Sequence, residues 1–442
     1  MKHIAVSLLP FALIFAACSS DAPGGDGAAG ATSGSQAGSP GAAGAHAGGG
    51  APNAAGAPAT TAGAANSSGG AGNTAGAPAT TAGAGGAPGS GGTHAGTGGT
   101  GGTGAGTAGS SMGGASTGTG GGAGATSTVS HLPVPPGAGN VSQPSGTPTK
   151  ITTVAWAGFK GAVSFSFDDS NQSQIDNYAA LNALGGHYTF FMWTGKTQAS
   201  NAIWKTAFND GHEIGNHTKS HSDTPSGDGD ITAATTFISS AFNKPPYVFA
   251  APSGKEVYVD LVKGLFFINR MVSDGLVAPN DNTDPWHLPT YIPPQGTAAD
   301  TSGSNFKSEV DGAVSGNKWR TVCVHGFLEN GNALSGEYQP VNLTGISTGI
   351  SYAKTQGAWV DTISAVGSYW LGEKSFNAAT SMTSGTDKTY TWTLPANFPP
   401  GHYIRVTTDG GVLKQGGTAI PWDSHGYYEV SLDAKSVTLS AQ

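Results

Sequence analysis

From residue 27 to residue 149 the chain has no Asp, Glu, Lys or Arg, and from 16 to 155 it has no Phe, Trp or Tyr. What remains is Gly, Ala, Ser, Thr and Pro, with GAPATTAGA at 56–64 and again at 76–84. Such a stretch cannot bury enough apolar surface to offset the entropy of ordering its backbone. The repeat is too poor in apolar residues to stack as a solenoid, so 19–149 reads as a disordered, low-complexity linker. A Gly-rich coil of about 125 residues spans roughly 60 Å root-mean-square, enough to hold a folded domain away from a surface.

The N-terminus carries Lys2 and His3, an apolar run from Ile4 to Phe15, then Ala16, Ala17 and Cys18. That order of basic, apolar and small residues is a secretion leader, and its apolar run is short for a membrane span. Phe-Ala-Ala-Cys resembles a bacterial lipobox with Phe in place of Leu. As a lipobox it makes Cys18 the lipidated first residue of the mature chain and the membrane a partner. As an ordinary leader it leaves Cys18 incidental. The other cysteine is Cys323. With Cys18 lipidated no intramolecular disulfide can form, so the folded part must be stabilised by its core. The net charge of -8 comes with no Lys/Arg cluster, which argues against a nucleic-acid partner. No pattern singles out a protein partner.

From about 150 the composition becomes that of a globular domain. GAVSFSF (161–167) alternates as a strand, and 173–185 and 201–211 have helical spacing. Strand-like runs follow at 187–193, 212–214, 247–250, 266–272 and 319–324. A helix is expected over 346–357, and a last strand begins at 359. The alternation predicts an α/β domain, an irregular parallel (β/α) barrel, over 150–372. In such folds the C-terminal ends of the strands carry the chemistry. After 373 only short strands separated by turns remain, at 389–394, 402–408, 426–431 and 436–440. They read as a small β-sandwich-like domain over 373–442.

Three strand ends stand out. Asp168 and Asp169 follow GAVSFSF. His217 and His221, four apart in GHEIGNHTKSH (211–221), can face one metal ion from a helix or a tight turn. His325 ends TVCV (321–324). Taken singly, each has a bland reading: a helix cap, solvated surface histidines, a structural histidine. Together they mark one rim of a barrel. Cys323 alternates with Val322 and Val324 and reads as a small buried hydrophobe. His212 reads as structural.

In order and context these segments resemble the polysaccharide deacetylase family (carbohydrate esterase family 4, the NodB-homology domain), over about 155–371. SFSFDDS is similar to the family's Thr-Phe-Asp-Asp motif, GHEIGNHTKSH to its His-Ser/Thr-x-x-His motif, and VCVHGF to its Leu-x-His motif. WVDTISAVGSYW (359–370) looks like its last strand and helix. The resemblance implies a divalent metal, zinc first, bound by Asp169, His217 and His221. It implies Asp168 as general base and His325 as general acid. It also implies an acetylated polysaccharide as substrate, and removal of its acetyl groups as the reaction.

The third motif departs from the family. AAPSG (250–254) has Ala250 where the resemblance expects the Arg that orients the base, and Ser253 where it expects Tyr. The Ser253 backbone N–H remains a candidate oxyanion donor, and Arg270 a candidate for the missing charge. TDPWHLPTY (283–291) resembles a segment of relatives with a C-terminal β-domain. Its Trp286, and Trp193 at a strand end, are candidate sugar-binding residues. The expectation is a deacetylase of chitin-, peptidoglycan- or poly-N-acetylglucosamine-type chains at the bacterial envelope, lipid-anchored or secreted. Alternatives are an acetyl xylan esterase of the same family, a carbohydrate-binding protein without turnover, and a structural anchor.

Overall fold

The computed structural model describes residues 130–294 and 296–442. The expected leader, Cys18 and the linker up to 129 lie outside the described residues. The domain begins with a short strand, β1 (Ile151–Thr153). Its centre is β2 (Gly161–Asp168), buried along its whole length. Alternating βα units then give α1 (Gln172–Asp176), α2 (Tyr178–Asn182), β3 (Thr189–Met192), α3 (Ile203–Asn209), β4 (Glu213–Asn216), α4 (Gly229–Phe242), β5 (Val248–Ala250), α5 (Val257–Val262) and β6 (Ile268–Arg270). α6 (Ser304–Ser315), β7 (Trp319–Val324), α7 (Leu343–Thr355), β8 (Ala358–Val360) and α8 (Ile363–Asn377) complete the series.

The sheet runs β6-β5-β4-β3-β2-β7 and every pairing is parallel. β7 follows β2 over nearly its full length, while β3 pairs its C-terminal half and β8 its N-terminal half. The result is a curled parallel half-barrel, the α/β class that the alternation predicts. β2 is buried on both faces, and where such a strand is usually a continuous apolar run this one alternates with serine. Val163, Phe165 and Phe167 pack into the helical layer. Ser164 and Ser166 face the inside of the curl. There the Trp319 Nε1–H donates to Ser164 Oγ (3.0 Å), and Ser166 Oγ donates to the Val322 carbonyl (3.0 Å). Both serines are thus satisfied in a core that would otherwise reject them.

The helix expected over 173–185 is split at Asn177. Its side chain donates back to the Ser173 carbonyl (2.8 Å), the competition with helical bonding that makes Asn a poor mid-helix residue. α4, α5 and α6 are additional to the expected elements.

Past α8 the chain forms β9 (Thr380–Ser384), β10 (Asp387–Thr391), β11 (Tyr403–Thr408), β12 (Val412–Gln415), β13 (Thr418–Ala419), β14 (Tyr428–Ser431) and β15 (Ser436–Ser440). They make two antiparallel sheets, β1-β11-β14 and β13-β12-β15-β10-β9. The expected boundary at 372/373 falls inside α8, and β1 joins the C-terminal strands from ahead of the barrel. One core holds both parts: Ile268, Trp319 and Trp359 of the barrel cluster with Trp370 of α8 and with Ile404, Tyr428 and Leu439.

Residues 130–149, read from composition as linker, are instead strapped onto the C-terminal strands. Buried Arg405 donates to the carbonyls of Leu132 (3.0 Å) and Pro133 (2.8 Å) and pairs with Glu429 (2.8 Å). Gln143 Nε2 donates to Tyr428 Oη (2.9 Å). The segment has no core of its own; its partners come from more than 250 residues away, where local composition cannot reveal them.

β2 enters the sheet at Gly161 with no room for a side chain. A Cβ there would lie 2.6 Å from the Ala313 carbonyl oxygen and 2.8 Å from that of Lys318. Both are backbone atoms, the first in the last turn of α6 and the second just ahead of β7. Gly161→Ala should therefore lower stability by about 1–3 kcal/mol, read as a shifted urea midpoint with unchanged slope.

Candidate active site

Five strands end on one rim, and each contributes to the same cleft. Asp168 closes β2, Asn216 closes β4 and leads to His217, Ala250 closes β5, Arg270 closes β6, and His325 follows β7. The cleft holds a cavity of about 380 Å³ lined by Asp168, Asp169, His217, His221, Ser253, Arg270, Val272, Ile292, His325 and Tyr338, among others.

Strand alternation alone would turn Asp168 and Asp169 to opposite faces. The backbone turns left-handed at Asp169 (φ 77°) and Ser170 (φ 53°), which returns the second carboxylate to the cleft. Asp tolerates this region better than most residues. The two histidines are presented by a tight turn, the second of the expected alternatives. Thr218 (φ 63°) and His221 (φ 54°) are left-handed too. Asn216 Oδ1 accepts from the Thr218 N–H (2.8 Å), and Thr218 Oγ1 accepts from the His221 N–H (2.9 Å). Asn216 is itself anchored to α4 through the Ile231 carbonyl (3.0 Å) and Thr235 (2.9 Å).

The fit of these residues to a cation can be tested from their geometry. Asp169 Oδ1 is buried and has no hydrogen-bond partner. It lies 3.5 Å from His217 Nε2 and 3.6 Å from His221 Nε2. Tetrahedral ligands at about 2.0–2.1 Å from a metal stand roughly 3.3–3.4 Å apart. His217 Nδ1 lies 2.8 Å from the Ala250 carbonyl, which can only accept, so Nδ1 carries the proton and the Nε2 lone pair faces the cleft. Burial, and then His217, push the His221 pKa down. The neutral imidazole is the form a metal binds. Two nitrogens and one oxygen fit a divalent ion with open positions.

Asp168 is held differently. Its Oδ2 receives an N–H from Arg270 Nη2, and both side chains are almost fully buried, at 1 % exposure each. Its Oδ1 is buried without a partner. Burial would raise its pKa, but Arg270, and then His217 and His325, hold it below the ordinary carboxylate value. Asp169 is likewise lowered against its burial, by His217, His325 and Lys196. His325 is pushed down, chiefly by burial, against the pull of both carboxylates. Arg270 and Ala250 are Cα partners on β6 and β5. The guanidinium that the third motif lacks at 250 thus arrives from the neighbouring strand at the registered position.

The remaining expected residues fall as follows. Ser253 lines the cavity, with left-handed backbone (φ 50°). Trp193 and Trp286 do not line it. Trp193 packs on His221 (centroids 4.7 Å), with its Nε1–H held by the Lys219 carbonyl (2.8 Å), so it backs the turn that carries His217 and His221. Trp286 packs beside Phe249 and Tyr258. Cys323 is buried, its pKa raised by burial, and its sulfur groups with Asp168 and His325 within 4.8 Å. His212 sits away from the rim, accepting the Tyr188 N–H at Nδ1 (3.0 Å), and burial pushes its pKa down to about 4. Sequence reasoning passed over Asn171, Gln174, Lys196 and Tyr338. Lys196 Nζ donates to Asn171 Oδ1 (2.5 Å), and Asn171 Nδ2 donates to the His325 carbonyl (2.6 Å).

The two acids should therefore separate by metal analysis. Asp169→Ala and His221→Ala are expected to lose bound zinc or cobalt, and Asp168→Ala to retain it. A stability cycle probes the ion pair. Arg270→Met strands a buried carboxylate and should cost about 3–5 kcal/mol, whereas Arg270→Met with Asp168→Leu should recover most of that loss.

Residues 158–263 match the family model described as polysaccharide deacetylase. Similar solved structures include a polysaccharide deacetylase from Bacillus cereus (14% identity, 46% of this chain and 91% of that one, TM-score 0.30). A peptidoglycan deacetylase from Bacillus subtilis is another (19%, 47% and 90%, TM-score 0.30). A third is a family 4 acetyl xylan esterase from Clostridium thermocellum in complex with a cobalt ion (18%, 46% and 89%, TM-score 0.30). No curated protein matches the sequence.

Proposed function

Because the chain carries a domain of the polysaccharide deacetylase family, matched over 158–263, we propose that its cleft hydrolyses acetyl groups from N-acetylated polysaccharide. The observation that carries this is the division of labour between adjacent acids. Asp169 points an unpartnered oxygen at two histidine Nε2 atoms, while Asp168 is clamped by Arg270 with one oxygen left over. A binding protein has no use for a buried ionised carboxylate held in this way.

Asp169, His217 and His221 would hold a divalent cation, zinc first. When bound, it supplies Lewis acidity and lowers the pKa of water from about 15.7 toward about 7. Asp168 Oδ1 takes a proton from the attacking water as its oxygen bonds to the acetyl carbonyl carbon. Arg270 keeps Asp168 ionised and aimed. His325 is neutral at rest, so the proton it gives to the departing nitrogen is the one Asp168 collected. Ligand atoms of the two residues lie within 4.8 Å, a span that one water bridges. The C–N bond breaks, leaving acetate and a free amine. Ser253 lines the cavity, and its backbone N–H would receive the carbonyl oxygen as it gains charge. Val272 and Ile292 offer an apolar seat for the acetyl methyl. The leader-like N-terminus supports a substrate outside the cytoplasm, at the bacterial envelope, and Cys18 as an anchor point belongs to the same proposal.

Acetate release from chitooligosaccharide, peptidoglycan, poly-N-acetylglucosamine and acetylated xylan tests the reading. Wild type should release acetate from at least one N-acetylated glycan and stop on chelation. Asp168→Asn should lose about 10²–10⁴ in rate at full metal occupancy. Silence on every substrate with metal bound would turn the reading to a carbohydrate-binding protein. Release from xylan alone would turn it to an esterase.

A further inference from the structure

The proposed reaction concerns one sugar of a chain and leaves open where its neighbours lie. The cleft cavity does not end at His325. Tyr338 lines it and also lines a second cavity of about 400 Å³, whose walls include Leu328, Glu337, Gln339 and Pro340. The two cavities share that one side chain.

Tyr338 is 56% exposed, and its ring meets His325 edge to face, centroids 5.1 Å apart and planes at 82°. A lone exposed aromatic needs no explanation. This one is held out by the construction of its loop. The segment 326–341 is closed at its base, where the Leu328 N–H donates to the Val341 carbonyl (3.0 Å) and the Val341 N–H to that of Gly326 (2.9 Å). Glu337 folds back and accepts from the Ser173 N–H (3.1 Å) and Oγ–H (2.6 Å). That return needs Gly at 326, since a Cβ there would lie 2.0 Å from Glu337 Oε2. With Glu337 pinned inward, Tyr338 projects outward between the cavities. Gln339 follows with strained backbone (φ 42°).

Resting on the deacetylase reading, we propose that Tyr338 is the platform on which the sugar adjoining the reacting one stacks. A pyranose presents a face of C–H bonds, which an open phenol ring takes out of water, while the ring's edge contact with His325 sets the register between stacked sugar and reacting acetyl. Gln339 and the Tyr338 hydroxyl supply polar atoms to the rim of the same groove.

The test compares kcat and KM on N-acetylglucosamine and its disaccharide. Wild type should favour the disaccharide. Tyr338→Ala should reduce the dimer-to-monomer ratio of kcat/KM by roughly tenfold, the scale of one aromatic contact, mostly through KM. Tyr338→Phe and Tyr338→Trp should keep it. A ratio unchanged in Tyr338→Ala, or lost equally in Tyr338→Phe, overturns the platform. So does a wild type that hydrolyses both lengths alike, which leaves the deacetylase reading standing. A metal-loaded wild type that releases no acetate overturns that reading first.

Discussion

Burying two ionised carboxylates on consecutive residues costs several kcal/mol per ion unless each is compensated. The site meets this by giving each acid its own partner. Asp168 has the Arg270 guanidinium, which is as deeply buried and lies over the Phe191 ring (5.2 Å to the centroid). Asp169 has the histidine side of the cleft. Neither acid could take the other's place. His217 Nε2 stands 3.7 Å from Asp168 Oδ2, but that oxygen is already engaged by Arg270. Only Asp169 stands within 4 Å of both histidines. The pairing of β5 with β6 matters for the same reason: it delivers Arg270 at the height of Ala250, level with the end of β2.

The geometry is stored in unfavourable backbone. Asp169, Ser170, Thr218, His221 and Ser253 all sit at positive φ, each at a cost of order 1–3 kcal/mol for non-glycine residues. Thr218, being β-branched, is the least natural of them. Such turns persist only where the flanking structure over-determines them. Here the flanks are β2, β4 and β5, whose residues are almost all buried. The core behind them is continuous, through α8, with the C-terminal strands. The β-strands after 380 are thus part of what holds the strained rim, whatever else they do.

What could be read from the sequence was local. Asp168, Asp169, His217, His221 and His325 stand directly after apolar strands, where a parallel sheet gathers its chemistry, and all five line one cavity. What could not be read was pairing over distance. Arg270 was visible as a charge but could not be placed without the β5–β6 register. Trp193 ends its strand at the right height, yet its indole is turned to the Lys219 carbonyl. The helix α4 has Ile231, Ala234, Ile238 and Phe242 on one face, diluted by Thr and Ser, whose helical propensity is modest. Tyr338 stands in a loop of Gly, Asn and Ser with no periodicity to flag it. The strap over 130–149 looks like linker because the hydrogen bonds that fasten it come from Arg405, Asp409, Ser424 and Glu429, far along the chain.

Asp168 and His325 stand at the registered ends of β2 and β7, and a side chain that no motif announced ties those ends together. Gln174, on α1, donates from Nε2 to the carbonyl of Asp168 (2.5 Å) and also to that of His325 (2.8 Å). One amide nitrogen thus ties the end of β2 to the end of β7. Asn171 adds a second bond to the His325 carbonyl. Ser173, on the same short helix, holds Glu337 and so the loop that carries Tyr338. α1 is only five residues long and has little stability of its own. Its place is fixed by what it bridges: Asp168, His325 and the loop beside them. The His217–His221 side of the cleft is set by turns wound against β4, and the His325 side by the β2–β7 register together with this bridge. Polar contacts from a single turn of helix thus add to the sheet in fixing the separation between them.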